Sequence, residues 1–192
     1  HDAVYAHGSA AGISALSVYD GDIHVDNTGR ISASAYAANG VVATAKYGDV
    51  EITNAAGGSI SVDGARTIAV SANAKYDGSV VVDNAGTITA AGRYEAVGVY
   101  AHTMYGVYGV NPGTVSVNNT GTIAATSTYW SAMGVVTDGY SGTAITNAGD
   151  ISATGYQAIG VLANSYLGVA ELTNTDTGTI SATGVSHAIG AA

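Results

Sequence analysis

Two acidic residues, Asp26 and Asp83, occupy equivalent places in the similar segments IHVDN (23–27) and VVVDN (80–84). If both segments are strands of one stack, the two side chains point outward and lie two strands apart, about 9.6 Å at the usual spacing. Carboxyl groups about 6.5–9.5 Å apart can act as acid and base in the inverting hydrolysis of a glycosidic bond. No Arg or Lys accompanies the pair in this pattern. We therefore expect a solvated acidic face and no enzyme.

Hydroxyl side chains recur at two other positions, which also predict outward-facing columns. One position holds Arg30, Ser59, Thr87, Thr122, Asp150 and Thr179, and the next holds Ser32, Ser61, Thr89, Ala124, Ser152 and Ser181. A flat, regular Thr array could match an ice lattice, and ice binding stays open as a minor alternative. Arg30 and Asp150 interrupt this array, and Ser and Thr are common on any solvated strand face.

Metal and cofactor chemistry has little support in the sequence. The chain contains no Cys, which excludes disulfides and thiolate metal sites. Its five histidines fall at unrelated places in the pattern: His1, His7, His24, His102 and His187. We predict no metal site and no cofactor.

The charge balance limits the classes of partner. The 192 residues carry a formal net charge of −9, and only five residues are Lys or Arg. Nucleic acids and anionic membrane surfaces require a basic footprint, so we expect neither as a partner. No apolar run reaches the roughly 18 residues of a transmembrane helix, so we expect no direct membrane insertion by this chain.

An internal repeat organises the whole chain. An Asn that follows an aliphatic residue by two positions recurs at spacings of 27, 30, 35, 28 and 27 residues. These asparagines are Asn27, Asn54, Asn84, Asn119, Asn147 and Asn174. Each is followed by an isoleucine: Ile31, Ile60, Ile88, Ile123, Ile151 and Ile180. A third motif recurs as NGV at 39–41, VGV at 97–99, MGV at 133–135 and IGV at 159–161.

Each repeat thus contains three short segments with period-two alternation, which is typical of β-strands. Three strands joined by Gly- and Asn-rich corners describe one coil of a solenoid, and parallel crossovers are nearly always right-handed. We predict an all-β fold, a right-handed parallel β-solenoid of about seven coils with three short strands per coil. We expect one domain, 1–192, with repeats at 1–21 (partial), 22–48, 49–78, 79–113, 114–142, 143–168 and 169–192 (partial).

The repeated asparagines share the inward parity of the aliphatic residues before them. A buried Asn amide must find hydrogen-bond partners, and stacked Asn side chains can bond their own turn and the next coil. We therefore predict a structural ladder of Asn27, Asn54, Asn84, Asn119, Asn147 and Asn174.

Tyrosines recur at two corners. One column holds Tyr19, Tyr47, Tyr76, Tyr105, Tyr140 and Tyr166, and the other holds Tyr36, Tyr94, Tyr129 and Tyr156. Stacked aromatic side chains stabilise neighbouring coils, and a strip of tyrosines could also stack on carbohydrate. We favour the structural interpretation for both columns.

One coil is longer than the others. The segment HTMYGVYGVNPG, residues 102–113, adds about seven residues and contains the single Pro. Binding residues often lie on loops inserted into repeats. Tyr105, Tyr108, Asn111 and Pro112 are therefore a candidate binding loop, although a tolerated surface insertion is the simpler interpretation.

The segments VDNAGTITAAG, VNNTGTIAAT and ITNAGDISATG resemble the passenger domains of bacterial autotransporters, which are pectin-lyase-like right-handed β-helices. The resemblance covers essentially the whole chain. It implies export across a Gram-negative envelope and an extracellular or cell-surface location. The sequence starts without Met and shows no signal peptide, so we expect a processed product or a piece of a larger protein.

Together these features favour an extracellular structural or adhesive β-helix. An alternative is a subunit of a filament that assembles end to end, because both ends would leave strands unpaired. Self-association along the axis is expected, and a host or matrix glycan or protein surface is a possible partner. A β-helix that acts on polysaccharides and the ice-binding face described above stay open as minor alternatives.

Overall fold

A computed structural model of the protein describes residues 8–104 and 113–192. All regular secondary-structure elements in these two ranges are β-strands. In chain order they are β1 (Ser9–Ser17), β2 (Ile23–Asn27), β3 (Arg30–Ala45), β4 (Val50–Asn54), β5 (Ser59–Ala74), β6 (Val80–Asn84), β7 (Thr87–Thr103), β8 (Val115–Asn119), β9 (Thr122–Ser127), β10 (Ser131–Gly139), β11 (Thr143–Asn147), β12 (Asp150–Ser165), β13 (Ala170–Asn174) and β14 (Thr179–Ala191). The described part of the chain contains no helix that is long and apolar enough to cross a membrane.

The strands form two parallel sheets that run along one axis. One sheet contains the short strands in the order β13-β11-β8-β6-β4-β2. The other contains the long strands in the order β1-β3-β5-β7-β10-β12-β14, with β9 paired to both β7 and β12. Each coil pairs only with its neighbours in sequence, and every pair is parallel. The prediction of a parallel β-solenoid is confirmed, with about six turns against the seven predicted.

The second and third predicted segments of a coil are usually one continuous strand. β3, β5 and β12 contain 16 residues each, and β7 contains 17. In two strand pairs the corner between the two segments contains a bulge, because the register shifts between Gly64 and Arg66 against β7 and between Gly155 and Gln157 against β14. The β3–β5 pair passes the same corner in register. In the coil after β8 the long strand is interrupted, because residues 128–130 separate β9 from β10.

The core is a set of columns that run the length of the axis. Alternation turns every second residue inward, and parallel pairing then places like residues above one another. The isoleucines Ile31, Ile60, Ile88, Ile123, Ile151 and Ile180 pair in register from β3 to β14. Four of them, Ile60, Ile88, Ile123 and Ile151, have no solvent-exposed surface.

The coils approach closely at a column of glycines on the long strands. A Cβ atom at Gly98 would lie 2.5 Å from the Gly134 carbonyl oxygen and 2.6 Å from Cγ2 of Ile123. Gly134 has the same relation to Gly160 and Ile151. These glycines let the isoleucine side chains fill the narrow interior.

Candidate functional site

The six repeated asparagines lie in one hydrogen-bonded column at the end of the short strands. The Nδ2 atom of each of the first five donates to the Oδ1 atom of the asparagine in the next coil at 2.7–2.8 Å, which links Asn27, Asn54, Asn84, Asn119, Asn147 and Asn174. Backbone carbonyls accept the remaining N–H groups, for example that of Thr122 from Asn84 at 3.2 Å. Asn27 to Asn147 are buried. The column therefore satisfies itself and offers little to a ligand.

A second column of polar contacts lies where each short strand begins. Oδ1 of Asp22 accepts the Asp49 backbone N–H at 2.9 Å, and Oδ1 of Asp49 accepts that of Ser79 at 2.7 Å. The Ser79 hydroxyl oxygen then accepts the Thr114 backbone N–H at 3.2 Å. Sequence reasoning missed this column, although a glycine followed by Asp, Ser or Thr recurs before the short strands.

The two carboxylates of the candidate pair, Asp26 and Asp83, are separated by another residue, and each contacts a different neighbouring side chain. Thr53 lies between Asp26 and Asp83 in the short-strand sheet. Oδ2 of Asp26 lies 2.8 Å from Nε2 of His24, and Asp83 accepts a hydrogen bond from Asn118 at 2.7 Å. Sequence reasoning grouped Asp26 with Asp83 and did not identify either of these contacts.

His24 lies between two carboxylates. Its Nδ1 atom is 3.2 Å from Oε2 of Glu51, on the neighbouring strand. The hydrogen bond to Asp26 and the charge of Asp26 raise the pKa of His24 above 6.5, and Glu51 adds a smaller effect. Across residues 8–104 and 113–192, no group of three or more acidic, His or Cys residues is placed to hold a metal ion.

The two hydroxyl columns are in register along the long-strand sheet. Arg30, Ser59, Thr87, Thr122, Asp150 and Thr179 pair in succession. Near one end, the Thr179 hydroxyl donates to Oδ1 of Asp150 at 2.5 Å. Arg30 and Asp150 thus interrupt the hydroxyl surface at the positions that the sequence indicates.

The first tyrosine column forms one tilted pair, Tyr47 with Tyr76, and one stacked pair, Tyr140 with Tyr166, within the described ranges. The Tyr47 and Tyr76 ring centroids are 5.1 Å apart, and Nζ of Lys46 lies 5.2 Å and 6.0 Å from these two centroids. Tyr140 and Tyr166 stack at 5.2 Å with an interplanar angle of 24°. Tyr19 is exposed. Tyr105 and the other candidate loop residues, Tyr108, Asn111 and Pro112, lie outside the described residues.

The second tyrosine column contains one tilted pair. Tyr94 and Tyr129 have ring centroids 6.1 Å apart, and the Arg93 guanidinium lies 5.7 Å and 5.4 Å from them. Tyr129 and the neighbouring Trp130 are exposed where β9 and β10 separate.

An open depression of about 630 Å³ lies beside the Tyr140–Tyr166 pair. Its walls come from the ends of β7, β10 and β12 and the residues that follow them. The lining residues are His102, Thr103, Met104, Asp138, Gly139, Tyr140, Asn164, Ser165 and Tyr166. It combines an aromatic pair with several polar side chains.

The polar wall of the depression is a short network. Asn164 Nδ2 donates to Oδ1 of Asp138 at 2.8 Å. The Tyr100 ring lies beside the His102 ring, with centroids 5.9 Å apart. Burial raises the pKa of Tyr100, and the charge of Asp138 and a hydrogen bond to it raise this pKa further. Sequence reasoning named the tyrosines here and His102 as an isolated histidine, but it named neither Asp138 nor Asn164. These side chains meet only through the register of the coils.

Comparison with known proteins identifies the architecture. The model of the family described as the BigA third pectate lyase-like domain matches residues 3–184. None of the curated proteins or solved structures compared with the chain gives a match. The matched region covers nearly the whole solenoid, including both tyrosine columns and the Asn ladder. The chain therefore belongs to the family of the third pectate lyase-like domain of BigA.

Proposed function

We propose that this domain is an extracellular structural and adhesive β-helix of an autotransporter-like protein, exported by a Gram-negative bacterium. Membership of the BigA family indicates a bacterial surface or secreted protein. The observation that carries the proposal is the continuous Asn ladder, which links six coils through four buried hydrogen bonds and one part-buried hydrogen bond. Such a rod holds outward-facing side chains at fixed spacing, as an adhesive surface requires.

Adhesion can be measured directly with beads that carry the purified domain. The beads should be retained on surfaces coated with matrix proteins or cell-surface glycans. Beads coated with an unrelated acidic protein of similar net charge are the control, because they reproduce non-specific electrostatic effects. Equal retention of the two bead types would refute the adhesive role.

We propose further that the domain is not an enzyme. This proposal is supported by the contacts of the two candidate carboxylates. Asp26 contacts His24, and Asp83 accepts a hydrogen bond from Asn118. Incubation with soluble glycans should release no new reducing ends. A cleavage activity that the double change Asp26→Asn and Asp83→Asn abolishes would overturn this part of the proposal.

We also propose that copies of the domain associate end to end. Apolar side chains are exposed in both terminal coils, among them Leu16 and Val185. Pairing of terminal strands with another copy would cover them and satisfy strand edges. Each copy carries a net charge of −9, so added salt should strengthen the association by screening repulsion.

Sedimentation velocity over a range of protein and salt concentrations tests this association. The mean mass should rise with both, and Val185→Asp should lower it. The matched control is Val81→Asp, which changes an outward residue in a central coil. A monomer at every concentration would contradict self-association and would favour stacking against neighbouring coils of a longer parent chain.

A further inference from the structure

We propose that the depression beside Tyr140 and Tyr166 binds a neutral glycan, with one sugar ring packed against Tyr166 and its hydroxyls bonded to Asp138 and Asn164. The inference rests on the adhesive function proposed above and names the ligand class of that function. It is carried by three features that meet at this place alone among the described residues: an exposed stacked tyrosine, a carboxylate–amide pair and a depression large enough for a sugar ring.

The aromatic part of the site is held in place before binding. Tyr166 is 76 % exposed, and its ring stacks on Tyr140 at 5.2 Å. The apolar C–H face of a pyranose packs on an aromatic ring, and a ring already fixed by a neighbour loses little freedom when it binds. Tyr140 is thus a positioning residue, and Tyr166 is the contact residue.

The polar part of the site can accept hydrogen bonds from sugar hydroxyls. A carboxylate has two oxygens with about four acceptor positions. The described donors to Asp138 are the Asn164 amide and the Tyr100 hydroxyl, which leaves acceptor capacity on Asp138. Hydrogen bonds to an ionised acceptor are stronger than neutral ones. The Asn164 amide adds both a donor and an acceptor group at the same wall.

The charge of the site selects among glycans. Among the described residues no Lys or Arg lines the depression, Asp138 is the acidic side chain there, and the whole chain is acidic. A uronic acid, sialic acid or sulfated sugar would meet repulsion from Asp138 without a Lys or Arg to compensate it. The site therefore suits neutral hexoses or N-acetylhexosamines and disfavours acidic polysaccharides.

The other tyrosine pair provides an internal control. The Tyr47 and Tyr76 ring centroids lie 5.1 Å apart in the same column, tilted by 33°, but the Lys46 ammonium lies against both rings. The strand positions that correspond to Asp138 and Asn164 hold Thr44 and Asn73 there, with no carboxylate. This pair has the aromatic feature without the polar wall, so it should not bind a neutral glycan.

The test is a set of titrations of the full chain followed by NMR and calorimetry. The probes are cellotetraose, mannotetraose, galactotetraose and lacto-N-tetraose, with trigalacturonic acid as the anionic comparison. At least one neutral probe should bind and shift the signals of Tyr166, Asp138 and Asn164. Trigalacturonic acid should bind more weakly than that probe.

Variants locate the site. Tyr166→Ala and Asp138→Asn should each weaken the dissociation constant by about tenfold, whereas Tyr166→Phe should keep near wild-type affinity. Tyr76→Ala is the matched control and should leave the dissociation constant of the neutral probe unchanged. Circular dichroism and melting curves check that Tyr166→Ala, a change at an exposed position, folds normally.

Three results would overturn the inference: no neutral probe binds, the Tyr166→Ala and Asp138→Asn variants bind as tightly as the wild type, or trigalacturonic acid binds more tightly. Bead adhesion separates this failure from failure of the broader function. If wild-type beads adhere and Tyr166→Ala beads adhere equally, the domain is adhesive but this depression is not its glycan site. If wild-type beads do not adhere, the adhesive function itself fails.

Discussion

Ile123 and Ser116 lie in the same coil, yet the columns that contain them repeat very differently. The column of Ile123 holds isoleucine in all six coils that it crosses. The column of Ser116 holds His24, Glu51, Val81, Ser116, Ala144 and Glu171. The backbone is equally regular in both columns. The difference in residue types therefore comes from the face of the sheet, since Ile123 faces the interior and Ser116 faces outward. Interior positions tolerate few types of side chain, whereas exterior positions tolerate many, including polar and charged ones.

The strongest test of this contrast places a charge in the interior. Ile123→Asp would bury a carboxylate between Ile88 and Ile151, where the native side chain has no exposed surface. An unpaired buried charge costs at least about 3–5 kcal/mol, a large part of the stability of most domains. We expect no cooperatively folded protein by circular dichroism.

Ser116→Asp is the matched control on the outward face of the same coil. It should fold and melt within a few degrees of the wild type, because surface changes usually cost little. A soluble Ile123→Asp variant that melts like the wild type would contradict the observed register.

The second test uses two adjacent asparagines. Asn119 is buried in the ladder between Asn84 and Asn147, and Asn118 faces outward and donates to Asp83. Asn119→Ala leaves buried partners unpaired and should lower the free energy of unfolding by about 1–3 kcal/mol. Asn118→Ala should lower it by about 0.5 kcal/mol or less. Urea unfolding measures both, and equal losses would show that burial of the ladder contributes nothing.

The smallest expected effect belongs to the exterior and depends on pH. The pKa of His24 is raised by Asp26, so protonated His24 is stabilised in the folded state. Its contribution to stability is complete below the ordinary value of 6.5 and is lost as the pH rises through the higher folded-state pKa. The effect on melting should be slight because the side chain is solvent-exposed.

An NMR titration of the His24 ring measures this directly. The pKa should lie above 6.5 in the wild type and fall in Asp26→Asn, which removes the main cause. Asp83→Asn, on the same face but two strands away, should leave it unchanged. An unaltered His24 pKa in Asp26→Asn would mean that the 2.8 Å contact does not persist in solution.

The sequence allows the interior to be predicted because a narrow parallel stack imposes one pattern on every coil. Period-two alternation and the recurrent Asn and Ile are sufficient to align Asn27 with Asn54 and Ile31 with Ile60. The corners are less predictable. A bulge such as that between Gly64 and Arg66 needs no turn residues, so two expected strands are in fact one.

The exterior site was harder to find for a related reason. Asp138 and Asn164 are 26 positions apart in sequence and neither belongs to a repeated motif. Their contact exists only because β10 and β12 pair in one particular register. Residues that occur once carry no periodic signal, so they become visible only when the coils are aligned in three dimensions.

The Asn ladder also gives the rod a direction. Five of the six side-chain amides donate to the asparagine that follows toward the C-terminus, so their dipoles add along the axis, and neighbouring bonds in such a chain polarise one another. At one extreme Asn27 Oδ1 accepts from the Gly29 backbone, and at the other Asn174 Nδ2 donates to the Gly178 carbonyl. The two extremes are thus chemically opposite. Copies that continue the ladder can join only head to tail. The resulting fibre would be polar, with two different ends and no twofold axes across its junctions.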